Sequence, residues 1–162
     1  MSRKVLEAMN EQMNFELYSG YIYLSMASYF ESESLRGFAH WMKVQFEEEK
    51  GHAMRFYSYL LERGFKPVFE SIPRPKESWS SPLDAFEDAL EHERKVTSRI
   101  WALVDLARSE GDKASERFLD WFVNEQVEEE AGVQLVVDLL KKVEDNVGGL
   151  LYLDSELGKR ER

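Results

Sequence analysis

The sequence predicts an all-α protein: a four-helix bundle with a long crossover between helices 2 and 3 and a short fifth helix at the C-terminus. Three observations carry this. Apolar residues recur at helical spacing through four long segments. Pro67, Pro73, Pro75 and Pro82 exclude a continuous helix from one stretch between the second and third of them. Each long segment also places a glutamate, in one case with a histidine, inside its apolar stripe.

The totals agree. A length of 162 residues suits one domain spanning residues 1–162, and 43% hydrophobic with 13% aromatic residues supplies a sizeable core. No apolar run approaches the roughly 20 residues of a membrane span. The N-terminus lacks an apolar signal core, and there is no cysteine, which removes disulfides, thiolate metal sites and cysteine nucleophiles. A cytoplasmic protein is expected. With 31 acidic against 21 basic residues the formal charge is −10, which disfavours nucleic acid and favours cations.

The first helix is read over about residues 3–33, with Ser2 as its cap and Met9, Met13, Gly20, Tyr23 and Ala27 in its stripe. Glu16 falls in that stripe. The second runs over about 35–63, to a stop at Gly64. The connection is short enough to make the two an antiparallel hairpin. On the second helix Glu49 and His52, three apart, share the face of Phe38, Trp41, Met42, Phe46, Ala53, Phe56, Tyr57 and Leu60.

The crossover takes about residues 65–81, with Val68, Phe69, Ile72 and Trp79 as apolar anchors. About 17 extended residues reach about 56 Å. A helix of about 28 residues is about 42 Å long, so the third helix can start at the far end of the bundle. That helix is read over about 83–110, with Ser81 as cap and Pro82 at its first position. Its stripe is Phe86, Ala89, Leu90, Val96, Thr97, Ile100, Trp101 and Val104, and Glu93 lies on it.

Asp112 caps a fourth helix over about 113–146, ended by Gly148-Gly149. Gln126 and Glu129 lie on the side of Leu119, Phe122, Val123, Val133, Val136, Val137 and Leu140. A fifth helix, about 150–157, aligns Leu150, Leu153 and Leu157, which need a partner surface in this bundle or a neighbouring subunit. The tail from Gly158 reads as mobile.

One buried carboxylate is usually a hydrogen-bonded core group. Four helices repeating the pattern point to metal. One Glu from each of two helices plus Glu-x-x-His is the known ligand pattern of di-iron and di-manganese bundles. Glu16, Glu49, Glu93 and Glu129 together balance two divalent ions, and oxygen-rich ligands with one imidazole suit iron(II) or manganese, with zinc as a competitor. Tyr23, one heptad after Glu16, either bonds a ligand or donates an electron, or is a core tyrosine with a satisfied hydroxyl. His40 reads as exposed, and His92 as rotated off Glu93; neither is assigned to metal.

At Asn10-Glu-Gln-Met-Asn-Phe-Glu-Leu-Tyr-Ser19, Phe46-Glu-Glu-Glu-Lys-Gly-His52 and Trp121-Phe-Val-Asn-Glu-Gln-Val-Glu-Glu-Glu130, the chain resembles the non-haem ferritins of bacteria and archaea. The resemblance covers essentially the whole length. It implies a hollow shell of 24 ferritin-like four-helix subunits, a homo-oligomer that oxidises Fe²⁺ with O₂ or peroxide and stores a ferric mineral. It implies two to three iron ions per subunit besides that mineral. Glu16, Glu49 and His52 would form the first site and Glu49 would bridge to a second completed by Glu93 and Glu129, with Gln126 close by. A third, cavity-side site would use Glu48, Glu125 and Glu128, with Glu129 reaching between sites. Trp121 resembles a tryptophan that supplies electrons in this family.

Lys50 stands where bacterioferritins carry the haem-binding methionine, so no haem is expected. Gln126-x-x-Glu129 replaces the second Glu-x-x-His of bacterioferritins and rubrerythrins, which predicts a second iron that binds less tightly. A dimetal bundle enzyme without storage, and a metal-free structural bundle, are the competing readings. Asp112, Glu116 and Asp120 are candidates for lining pores.

Overall fold

The computed structural model describes residues 3–161, which form five helices and, among the described residues, no strand. They are α1 (Arg3–Ser32), α2 (Arg36–Glu62), α3 (Pro82–Ser109), α4 (Lys113–Lys142) and α5 (Val147–Leu157). The expected cap Ser2 lies outside the described residues. Ser34, with φ 60, turns the chain from α1 into α2. Gly64 (φ 78) and Gly111 (φ 68) close α2 and α3 in the left-handed conformation. There Phe65 N donates to Leu60 O and Asp112 N to Ala107 O, satisfying carbonyls at each helix end. Ser81 and Asp112 cap α3 and α4 through Asp84 N and Ser115 N, as the sequence predicts.

The crossover runs the length of α1 and delivers α3 to the other end of the bundle. Its fastening differs from expectation. Trp79 is buried, but Val68 and Phe69 are exposed. Polar side chains of α1 hold the strap instead. Asn10 and Val68 exchange two bonds, Nδ2 to O (3.0 Å) and N to Oδ1 (2.9 Å). Asn14 bonds Val68 O and Glu70 N, and Ser25 donates to Lys76 O. An extended segment leaves its peptide groups unpaired, and amides reading them at one-turn intervals satisfy both sides.

Two apolar cores form. One joins Phe30, Phe38, Trp41, Met42, Phe86 and Val137. The other joins Met9, Met13, Phe56, Leu60, Ile100 and Phe122. On α3 the stripe ends with Ile100, Leu103 and Ala107, and Trp101, placed in it by periodicity, is exposed.

The end of the bundle differs most from the sequence reading. α4 stops at Lys142, and Asn146, assigned to its last turn, caps α5 by accepting from Gly149 N (2.8 Å). Gly148-Gly149 therefore opens α5 rather than closing α4. A side chain at Gly149 would put its Cβ 2.8 Å from Val143 Cγ1, so glycine permits the tight return. α5 docks on its own bundle: Leu153 is buried, and Leu150 and Leu157 pack on the first core. Asp154 Oδ1 accepts from Phe38 N (2.9 Å), capping α2 from another helix where Leu35 has no capping side chain. The tail is anchored too. Arg160 lies over the Trp41 ring, and its carbonyl meets His40 Nε2 at 2.7 Å, so His40 is half-buried under it rather than exposed.

Candidate metal centre

Polar side chains from four helices fill one layer between the two cores. Glu16 (α1), Glu49 and His52 (α2), Glu93 (α3), and Gln126 and Glu129 (α4) are all buried. Each sits mid-helix at a core-facing register, so the periodicity that builds the cores also aims these groups inward.

Two clusters form within the layer. One ligand atom each from Glu16, Glu49 and His52 lies within 4.8 Å of the others, and the same holds for Glu49, Glu93 and Glu129. Glu49 belongs to both. His52 Nδ1 is 3.3 Å from Glu49 Oε2 and 3.9 Å from Glu16 Oε2, yet none of these atoms has an aligned hydrogen-bond partner. Three converging lone-pair atoms, buried and unsatisfied, suit a cation: a coordinate bond to each removes the desolvation penalty that burial imposes.

Burial pushes every carboxyl here upward. Glu16 is held well above the usual carboxylate range by burial and then by the Glu49 charge, and Glu49 by burial and then Glu93. Burial raises Glu93 to about 7, against the lowering effect of its Tyr23 hydrogen bond. Burial followed by Glu93 raises Glu129 to about 9. These groups hold protons that a divalent cation would displace. Tyr23 donates to Glu93 Oε2, so its hydroxyl is satisfied by a candidate ligand. Gln126 Nε2 donates to Glu93 Oε1 (3.3 Å), Glu93 O and Thr97 Oγ1, which spends its amide on positioning Glu93.

Two glutamines were missed. Gln12 Nε2 bonds Glu16 Oε1 (3.2 Å), and Gln45 Nε2 bonds Glu49 Oε1 (3.0 Å) and Glu129 Oε2 (2.5 Å). Each lies four residues before its glutamate, and that repeated spacing was a readable signal.

Glu48, Glu125, Glu128 and Glu129 line one cavity of about 170 Å³ with Gln45, Trp41 and Arg160. Among the described residues Glu48, Glu125 and Glu128 join no three-ligand cluster, while Glu129 belongs to the second of the two above. Arg160 Nη2 already pairs with Glu48 Oε2 at 3.1 Å. Burial raises Glu125, with the Glu48 and Glu128 charges adding to it. Trp121 stands edge-on to His52, ring centroids 5.4 Å apart, under the Arg55 guanidinium. His92 bonds Ser19 Oγ (2.7 Å) outside the clusters; burial, then Lys95 and Arg99, push it down to about 4, so the ring is neutral. Asp112 pairs with Arg63, Glu116 with Arg108 and Asp120 with Arg117.

Fold and site together define a four-helix bundle with a buried constellation of carboxylates and one histidine that could hold metal. The chain belongs to the ferritin family: residues 6–143 match the family described as "Ferritin-like domain". It is similar to a protein named bacterial non-heme ferritin from Bacteroides fragilis, 46% identical over 99% of both chains. The protein of that name from Staphylococcus aureus (strain MRSA252) is 39% identical over 99% of this chain and 96% of its own length. Among solved structures it is similar to an open-pore ferritin from the archaeon Archaeoglobus fulgidus. That likeness has TM-score 0.98 and 47% identity over 99% of both chains. A humanized archaeal ferritin gives TM-score 0.99 and 48% identity over 100% of this chain and 99% of that one.

Proposed function

We propose that Glu16, Glu49, His52, Glu93 and Glu129 hold two Fe²⁺ ions on either side of Glu49, and that this pair is the ferroxidase centre of an iron-storing ferritin. The function is iron storage and detoxification: Fe²⁺ is oxidised by O₂ or peroxide and the ferric product is kept as a mineral inside a protein shell. The shell is formed by 24 copies of the chain. The observation that carries the site assignment is the convergence of Glu16 Oε2, Glu49 Oε2 and His52 Nδ1, buried without hydrogen-bond partners.

Two Fe²⁺ ions give up one electron each, enough to reduce O₂ to hydrogen peroxide or hydrogen peroxide to water. Holding the metals about 3.5–4 Å apart lets both electrons leave from one place. The four carboxylates balance the charge of two divalent ions, and their displaced protons are available to the reduced oxygen. Tyr23 and Gln126 hold Glu93 from two sides, and Trp121, edge-on to His52, would supply a further electron. Glu48, Glu125 and Glu128 are proposed to receive Fe³⁺ on its way to the mineral. A cation there must displace Arg160 from Glu48.

Native mass and iron content after aerobic Fe²⁺ loading test this reading. A large shell holding far more than three iron ions per chain is expected, with oxidation abolished in Glu49→Ala and His52→Ala. A monomer or dimer that saturates at two or three ions per chain would remove the storage function. Rapid oxidation surviving both substitutions would remove the site.

A further inference from the structure

The C-terminal tail reaches the metal layer through one side chain, and its chemistry fixes the direction of a hydrogen-bond chain. Arg160 Nη2 lies 2.9 Å from Gln45 Oε1. A guanidinium has only donors, so the Gln45 atom facing it must be the carbonyl oxygen. The amide NH₂ then faces the other way, toward Glu49 Oε1 and Glu129 Oε2. Those are one oxygen of the shared glutamate and one of the second cluster.

Arg160 is itself held firmly. Nη1 donates to Trp41 O (3.1 Å), Nη2 also pairs with Glu48 Oε2, and the guanidinium lies 4.2 Å from the centre of the Trp41 ring. Its carbonyl meets His40 Nε2. Gln45 is 1% exposed, so the partners that orient its amide are these side chains.

We propose that Arg160 is a positioning residue for the dinuclear centre: by engaging Gln45 Oε1 it keeps the Gln45 NH₂ group on Glu49 and Glu129. This rests on the assignment of those glutamates as metal ligands. The amide draws one oxygen of each carboxylate toward α2 and leaves the other free for metal, and it bridges the two helices that carry them. Without Arg160 the amide can rotate by half a turn and present its oxygen to the carboxylates, which repels both. The second metal position, which depends on Glu129, is the one affected most. Partners that orient ligands in this way typically change metal affinity by about 10- to 100-fold.

Anaerobic Co²⁺ titration of the assembled protein, read by visible absorption, tests this without turnover. Wild type is expected to bind two Co²⁺ per subunit at the helix centre. Arg160→Ala is expected to weaken the looser ion roughly tenfold. Gln45→Leu is expected to do the same, and adding Arg160→Ala to Gln45→Leu to change affinity less than twofold, because the chain is already cut. Unchanged binding in Arg160→Ala overturns the proposal and leaves the metal centre standing. A tenfold loss from Arg160→Ala that persists in the Gln45→Leu background also overturns it, since the arginine would then act through its charge or through the fold. Wild type that binds no Co²⁺ between the helices overturns the metal centre, and the proposal with it.

Discussion

Tyr23 on α1 donates its hydroxyl to Glu93 Oε2 on α3, joining two helices through a candidate ligand in the middle of the bundle. Both residues are fully buried. The bond favours the ionised form of Glu93, the form that binds metal, against the burial that disfavours it.

Tyr23→Phe keeps the ring and removes that donor. Metal stoichiometry should stay at two per subunit, while Fe²⁺ oxidation slows. The apoprotein should lose about 1–3 kcal/mol in denaturant unfolding, the range for a hydrogen bond to a charged or buried group. Stopped-flow oxidation beside equilibrium denaturation separates the two effects, and an unchanged rate would make Tyr23 a core residue only.

Loss of Glu49 should be worse than loss of any other carboxylate, because it alone belongs to both clusters. Glu49→Gln should lower Fe²⁺ oxidation by about 100-fold or more, beyond the range typical of residues that only orient ligands. The same substitution should stabilise the apoprotein at alkaline pH by removing a charge that burial penalises. Oxidation kinetics and a melting curve at pH 9 check both halves.

Apoprotein stability should fall as pH rises. Burial holds Glu93 up at about 7 and Glu129 at about 9, above the ordinary carboxylate value of 4.5. Between 4.5 and those values the folded protein binds more protons than the unfolded chain, so stability is full below about 4.5 and is lost through pH 7 and then 9. A bound divalent cation supplies the missing positive charge, so the stabilisation it gives should grow over the same range. Thermal unfolding from pH 5 to 9 with and without Zn²⁺ measures this, and an apoprotein whose stability is flat or rising there would contradict it.

Gly37→Ala should be more damaging than Asp154→Ala, although both touch the junction of α2 and α5. A Cβ at Gly37 would lie 1.6 Å from Asp154 O, so α5 must move. Asp154→Ala removes only the cap on Phe38 N, a loss of about 1 kcal/mol. Hydrogen exchange of α5 should rise in both variants and reach Arg160 only in the first. Equal exchange in the two would show that the close approach is dispensable.

The four long helices and their inward glutamates were legible because helical spacing records both the apolar face and any polar residue placed on it. Glu16, Glu49, His52, Glu93 and Glu129 stand together for that reason. Where periodicity has no purchase, the reading failed. The crossover is fastened by Asn10 and Asn14, whose partners are peptide groups more than 50 residues away. Gly148-Gly149 is a stop by composition, but Asn146 captures Gly149 N and starts a helix there. Arg160 falls in the tail that reads as mobile because its partners, Trp41, Gln45 and Glu48, are distant in sequence. Trp101 followed the α3 stripe yet faces outward, since the inward face there is taken by Leu103 and Ala107.

The central claim is that one glutamate, Glu49, stands between two metal positions. Anomalous diffraction from crystals soaked anaerobically in Fe²⁺ tests it directly. Two peaks about 3.5–4 Å apart are predicted between the four helices, one against Glu16 and His52, the other against Glu93 and Glu129, with Glu49 touching both. Iron found only on the acidic surface, with no peak in the layer between the two cores, would contradict the account.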